Sequence, residues 1–262
     1  MAQAHYPLPT AHELEKFFTE FGHGYSAMPQ LQPPVVNTEE MEQYFSQFKQ
    51  DYDLFVESGG IINIWADAHV GKDEVRNCAV LGWLLDCHGS HGQGAKFLRW
   101  FLDALHEALN EEPLENACMK RVPQVANANT PYRTTLEKPY YWQEKDYRVD
   151  IVIENEAFLL FIEAKVDARE RKSQLKNYND ILHSRACGKK RHGLIFLTRT
   201  GEHATGGLEK KIVPLRWTQI ADAFEHGMNQ SISSRSLPSQ QPLWAILVQQ
   251  FCQHIRFFKE RA

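Results

Sequence analysis

The sequence predicts an α/β fold: a mixed central β-sheet flanked by helices, with an N-terminal helical extension and a C-terminal helix. Three observations carry that expectation. Apolar residues recur at helical spacing over Gly71–Leu109 and again over Pro242–Phe258. Short apolar runs bounded by turn signals fill the middle of the chain. From residue 71 the patterns follow one another as helix, helix, strands, helix, strand, strand, helix, an order that a sheet with helices on its faces accommodates.

The chain has 262 residues, 43% hydrophobic and 24% charged, enough apolar material for a sizeable core. The expected division is a helical arm over 1–60, a core over 61–227, and a linker plus C-terminal helix packing on the core over 228–262. No apolar run approaches the length of a membrane span, and residues 1–9 lack the pattern of a secretory signal. Five irregularly spaced cysteines, without a CxxC pair, point to free thiols in a reducing cytoplasm rather than to a disulfide framework. The net charge of -4 argues against a protein that coats nucleic acid, though not against an enzyme that binds it transiently.

In the arm, Ala11–Phe21 and Thr38–Ser58 read as helices on either side of a proline-containing linker. Asp73 is a suitable N-cap for a helix ending near Asp86, and a second helix runs from about Gly94 to Leu109. The loop between them, Cys87 to Gly94, is punctuated by glycine. Cys87, His88 and His91 are too few for a zinc site, and His91 is left between an incidental loop histidine and a contact to a substrate phosphate. An irregular strand is expected within Val122–Tyr141, then a β-hairpin formed by Tyr147–Ile153 and Phe158–Val166. Asp167–Ser184 reads as helix, Gly193–Thr198 as a buried strand, Lys211–Trp217 as a further strand, and Thr218–His226 as the start of a helix. Met228–Gln240 is serine-rich and reads as a linker.

The chemistry gathers on the hairpin. With a two-residue turn at Asn155-Glu156, Asp150 faces Phe161, and Glu163 is its diagonal neighbour on one face, roughly 7–8 Å away. Two carboxylates so placed can share one hard cation, and all-oxygen ligation suits Mg²⁺ or Mn²⁺ better than zinc. Lys165 projects from the same face, two residues further on. Charges inside an otherwise apolar strand are costly unless paired or metal-bound. The alternative is a solvent-facing Glu–Lys pair on an edge hairpin.

Arg148-Val149-Asp150, twelve residues, then Glu163-Ala164-Lys165 resembles the signature of the PD-(D/E)XK nucleases, including its hydrophobic flanks. Gln174 and Tyr178, four apart and so on one helix face, match the QxxxY element of RecB-like branches. The stretch from Leu84 to Leu98 is similar to an N-terminal element in one bacterial branch of poorly understood role. The proline of the family name is absent: Val149 stands before the aspartate. The resemblance implies a restriction-endonuclease-like core, metal ligation by Asp150, Glu163 and the backbone carbonyl of Ala164, and Lys165 as the catalytic lysine, with Gln174 and Tyr178 supporting the site. It implies hydrolysis of phosphodiester bonds, in DNA first and RNA second, in restriction, repair or defence. A module that has lost activity or needs a partner protein is the rival reading, and a homodimer is left open.

Glu74 matches by position the acidic residue that family members carry at the start of the preceding helix. Its alternative role is a favourable charge on the helix dipole. Arg169, Arg171, Lys172 and Lys176, with Lys189 to Arg191, could follow a phosphate backbone or form an ordinary solvated face.

Overall fold

A computed structural model describes residues 12, 14–20, 37–57, 61–111, 131–167, 173–188, 191–205, 208, 211–233 and 241–259. The chain divides into two compact units, 1–61 and 62–262. In the first, residues 14–20 form α1 and Thr38–Glu57 forms α2, which buries none of its side chains.

The second unit holds all five strands: β1 (Arg133–Trp142), β2 (Lys145–Glu154), β3 (Phe158–Ala164), β4 (Arg191–Thr198) and β5 (Val213–Arg216). They lie side by side in chain order. The pairs β1–β2 and β2–β3 are antiparallel, and β3–β4 and β4–β5 are parallel. The sheet is therefore mixed, as expected, with β3 and β4 in its interior and buried almost throughout.

Helices cover both faces. The short α3 (Ile64–Asp67) precedes α4 (Glu74–Leu85) and α5 (Lys96–Glu111), and α7 (Trp217–Ser233) and α8 (Leu243–Arg256) complete that layer before a 3-10 turn at Phe257–Lys259. Their apolar sides meet Ile151, Leu160, Ile162 and Ile195 in the larger core cluster. The other face carries α6 (Gln174–Ala186), whose Leu175, Tyr178, Ile181 and Leu182 pack on Val152, Leu159, Phe161 and Leu194. Each such fully buried aliphatic or aromatic side chain contributes about 1.5–3 kcal/mol relative to exposure.

Several sequence expectations are corrected. The β2–β3 register pairs Ile151 with Ile162 and Val152 with Phe161, a shift of two residues that places Asp150 in line with Glu163 instead of diagonal to it. The cause is Asn155. Its Oδ1 accepts from Ala157 N at 2.8 Å and Phe158 N at 2.9 Å, and its N donates to Phe158 O, so Asn155 opens the turn and Glu156-Ala157 form its centre. A two-residue shift keeps the side chains on their faces, which is why the pairing of functional groups survives.

Of the helix expected over Asp167–Ser184, α6 covers Gln174–Ala186 with a left-handed Ser173 (φ 64°) immediately before it, and residues 168–172 lie outside the described residues. Met228–Ser233 is not linker but the last turns of α7. Ile220, Phe224, Met228 and Ile232 continue one stripe at four-residue spacing, and burial of Met228 overrides the serine-rich composition. Residues 234–240, Cys118 and the stretch 121–130 lie outside the described residues. No helix among the described residues is long and apolar enough to cross a membrane.

Candidate active site

Four elements converge at the C-terminal end of β3. Asp73 caps α4, its Oδ1 accepting from Arg76 N at 3.0 Å. That fixes Glu74 in the first turn, where its Oε1 accepts from Val166 N at 3.0 Å. The strand end is held again by Lys165 N donating to Leu197 O at 2.8 Å and by Trp217 Nε1 donating to Lys165 O at 3.3 Å. Asp150, from β2, accepts from Ala164 N through Oδ2 at 2.8 Å. The backbone of residues 164–166 is thus tied to α4, β4, α7 and β2 by four hydrogen bonds.

Glu163 is 1% exposed. Its Oε1 receives Lys165 Nζ at 2.6 Å and Gln174 Nε2 at 2.7 Å. Oε2 is buried without a hydrogen-bond partner, as is Gln174 Oε1. Burial first, and the Asp150 charge second, push the Glu163 carboxyl up to about 8. Burial likewise raises Asp150 above the usual carboxylate range, against the pull of the Ala164 amide. Burial alone would lower Lys165, but the Glu163 carboxylate beside it, helped by Asp150 and Glu74, takes it up to about 12.

The Lys165 ammonium also lies 3.3 Å from Ala164 O and 3.5 Å from Glu74 Oε2. Side-chain and main-chain oxygens from three directions therefore meet a positive charge at this point. Gln174 and Tyr178 extend the network: Gln174 Nε2 reaches Tyr178 Oη at 3.1 Å, and Tyr178 Oη donates to Arg148 O at 2.6 Å. The chain Glu163–Gln174–Tyr178–Arg148 spans from β3 across α6 to β2, two residues from Asp150. Glu74, Arg148, Asp150, Glu163, Lys165, Gln174 and Tyr178 line a cavity of about 710 Å³ that opens beside the β1–β2 hairpin.

A divalent cation fits this set. The orphaned, buried Glu163 Oε2 is an oxygen ligand without a donor, and a buried carboxylate oxygen of that kind calls for a proton or a metal. Among the described residues no three His, Cys, Asp or Glu side chains form a complete cage. Two carboxylates plus a carbonyl suit an ion that keeps several waters, which is the habit of Mg²⁺.

A family model described as the PD-(D/E)XK nuclease superfamily matches residues 62–253. The chain belongs to the PD-(D/E)XK nuclease superfamily. No curated protein and no solved structure matches it. The mixed sheet with helices on both faces is its restriction-endonuclease-like core.

In this PD-(D/E)XK nuclease, Asp150, Glu163, Lys165, Gln174, Tyr178 and Glu74 share one cavity. Other residues singled out from sequence do not join them. His91 is buried, packed edge-on against Trp83 and Phe97, with its Nε2 on Asp86 O at 3.0 Å and its Nδ1 accepting from Gln93 N at 3.0 Å. Its partners are structural, and the ring is not among those lining the cavity. Lys176 is exposed on α6, two residues from Gln174 and so turned from its face. Arg169, Arg171 and Lys172 lie outside the described residues. Sequence reading missed Glu137 and Arg148, which line the cavity as an ion pair. Arg148 was within the motif but had no spacing signal of its own. A second cavity, about 640 Å³ along α5 and α7, carries mixed surface charges such as Lys96, Arg99, Asp103 and Glu107 and no buried carboxylate.

Proposed function

We propose that the protein hydrolyses phosphodiester bonds of nucleic acid, DNA in the first instance, with Mg²⁺ or Mn²⁺. The observation that carries this reading is Glu163: a fully buried carboxylate with one partnerless oxygen, in one cavity with Asp150 and Lys165. Asp150 and Glu163 would hold the ion, with the Ala164 carbonyl as a third ligand and Glu74 as a further oxygen ligand. When bound, the ion supplies positive charge to the phosphate and lowers the pKa of a water. Lys165 stays protonated and stabilises negative charge on the attacked phosphate. Water oxygen bonds to phosphorus as the water gives up a proton to solvent, one ester P–O bond breaks, and the leaving oxygen takes up a proton from solvent. Gln174 orients Glu163, and Tyr178 fixes the backbone that carries Asp150. The free cysteines among the described residues suit a reducing compartment, in keeping with a cytoplasmic enzyme that acts on foreign or damaged DNA.

The test is cleavage of circular and linear DNA by the purified protein with Mg²⁺, Mn²⁺ or EDTA, beside Asp150→Ala. Metal-dependent cutting that the variant loses supports the reading, and the circular substrate separates internal from terminal attack. Cutting of RNA alone would change the substrate class. No cutting of any nucleic acid would replace the reading with a catalytically inactive or partner-activated binding module.

A further inference from the structure

Glu137 stands in the middle of β1 with a left-handed backbone, φ 50°. It falls between the pairs Leu136–Ile151 and Lys138–Val149, so its place in the register is across from Asp150. A left-handed non-glycine residue inside a strand is strained, and such residues persist where the surroundings require them. The side-chain alternation of β2 breaks at the same point: Val149 and Val152, three apart, both pack in the cluster beneath α6. The distortion puts the Glu137 carboxylate at the cavity, where Oε2 meets Arg148 Nε at 2.6 Å.

An ion pair of this kind does not explain the strain. The Arg148 side chain is 68% exposed, and exposed pairs contribute little to stability. Nor is Arg148 loosely placed: its carbonyl is fixed by Tyr178 Oη at 2.6 Å. The ion pair to Glu137 is made through Nε, at the inner end of the guanidinium. A guanidinium presents a fork of donors that matches a phosphate. Such a group suits the cavity, because Glu74, Glu137, Asp146, Asp150 and Glu163 outnumber Lys145, Arg148 and Lys165 in its lining and a phosphodiester is itself an anion.

We propose that Arg148 binds a backbone phosphate of the substrate beside the scissile one, and that Glu137 is the internal counter-ion it exchanges for that phosphate. The inference rests on the nuclease reading above. Its ligand class is a nucleic-acid phosphodiester, gripped by charge and shape without base recognition, so binding is expected to be insensitive to sequence and sensitive to salt.

The experiment measures fluorescence anisotropy of a labelled oligonucleotide with the full-length protein in Ca²⁺, and cleavage kinetics in Mn²⁺. Arg148→Ala is expected to weaken binding at least tenfold and to raise KM more than it lowers kcat, while the rise in Tm on adding Mn²⁺ stays that of the native protein. Arg148→Lys should recover part of the loss, since a point charge replaces the fork. Glu137→Gly keeps the left-handed backbone at no steric cost and is expected to tighten binding about threefold or more. Native-like binding and kcat/KM in Arg148→Ala would overturn the phosphate grip. Weakened binding in Glu137→Gly would overturn the counter-ion role and make Glu137 a prop for Arg148. If the native protein cuts and Arg148→Ala cuts equally well, this inference alone fails. If the native protein neither binds nor cuts any nucleic acid, the nuclease reading fails and takes the inference with it.

Discussion

Glu163 is costly where it stands, and the cost has a sign that can be measured. Its ordinary value is 4.5 and the fold raises it to about 8, so the metal-free protein favours the protonated side chain. The stability this contributes is complete below about 4.5 and is lost as pH rises through about 8. Without metal, Tm is expected to fall across that window, and each kcal/mol is worth roughly 2–4 °C at this size. Divalent metal needs the deprotonated carboxylate, so Mn²⁺ should raise Tm more at pH 8 than at pH 6 and release protons on binding. Glu163→Gln should flatten the metal-free profile and abolish the Mn²⁺ response. A flat profile in the native protein would show that Glu163 is ionised throughout. Gln174→Ala removes the donor to Glu163 and is expected to weaken metal affinity or activity about 10–100-fold, read by titration and by initial rates. The spacing of Asp150, Glu163 and Lys165 was legible because strand alternation maps sequence onto a face. The contact of Glu74 with Val166 spans 92 residues and has no local signature. A left-handed Glu137 has none either, since nothing about glutamate announces φ above zero.

At the scale of elements, what the sequence hides is mostly geometry at turns. Asn155 was readable as a turn residue but not as the residue that opens the turn, and the register followed from that single choice. The serine content of residues 228–233 masked a stripe that Met228 and Ile232 extend, because burial outweighs composition. The tip of the β1–β2 hairpin makes the same point in reverse. Trp142 pairs with Lys145 across Gln143 and Glu144, both left-handed at φ 47° and 61°. A two-residue turn with both central residues left-handed is the one that favours Asn-Gly, yet neither position holds a residue suited to it. Gln143→Asn combined with Glu144→Gly is therefore expected to stabilise the protein by about 0.5–1 kcal/mol in urea unfolding. Unchanged or reduced stability would mean that the tip does not hold this conformation in solution. Because the hairpin walls the cavity, the same variant tests whether mobility of the tip limits turnover: if it does, the stiffer tip lowers kcat.

At the scale of the whole molecule the chain divides into two compact units at residue 61. Every residue of both apolar clusters lies within 62–262, and the family match, 62–253, falls inside the same unit. Among its described residues the first unit offers no comparable core: α2 has no buried residue, and Met41, Phe45, Phe48, Tyr52 and Phe55 stand exposed along it at alternating spacings of four and three. Among the described residues, deleting 1–61 thus removes no side chain of either apolar cluster. The fragment 62–262 is expected to fold, to melt within about 3 °C of the full chain, the shift that roughly 1 kcal/mol brings, and to keep the full Mn²⁺-induced rise in Tm. Its solubility should increase, since large exposed apolar side chains leave with the arm. Calorimetry of the two proteins with and without Mn²⁺ reads both quantities. A fragment that aggregates, or that folds and ignores Mn²⁺, would mean that the arm completes either the core or the metal site, and the division at residue 61 would have to be abandoned.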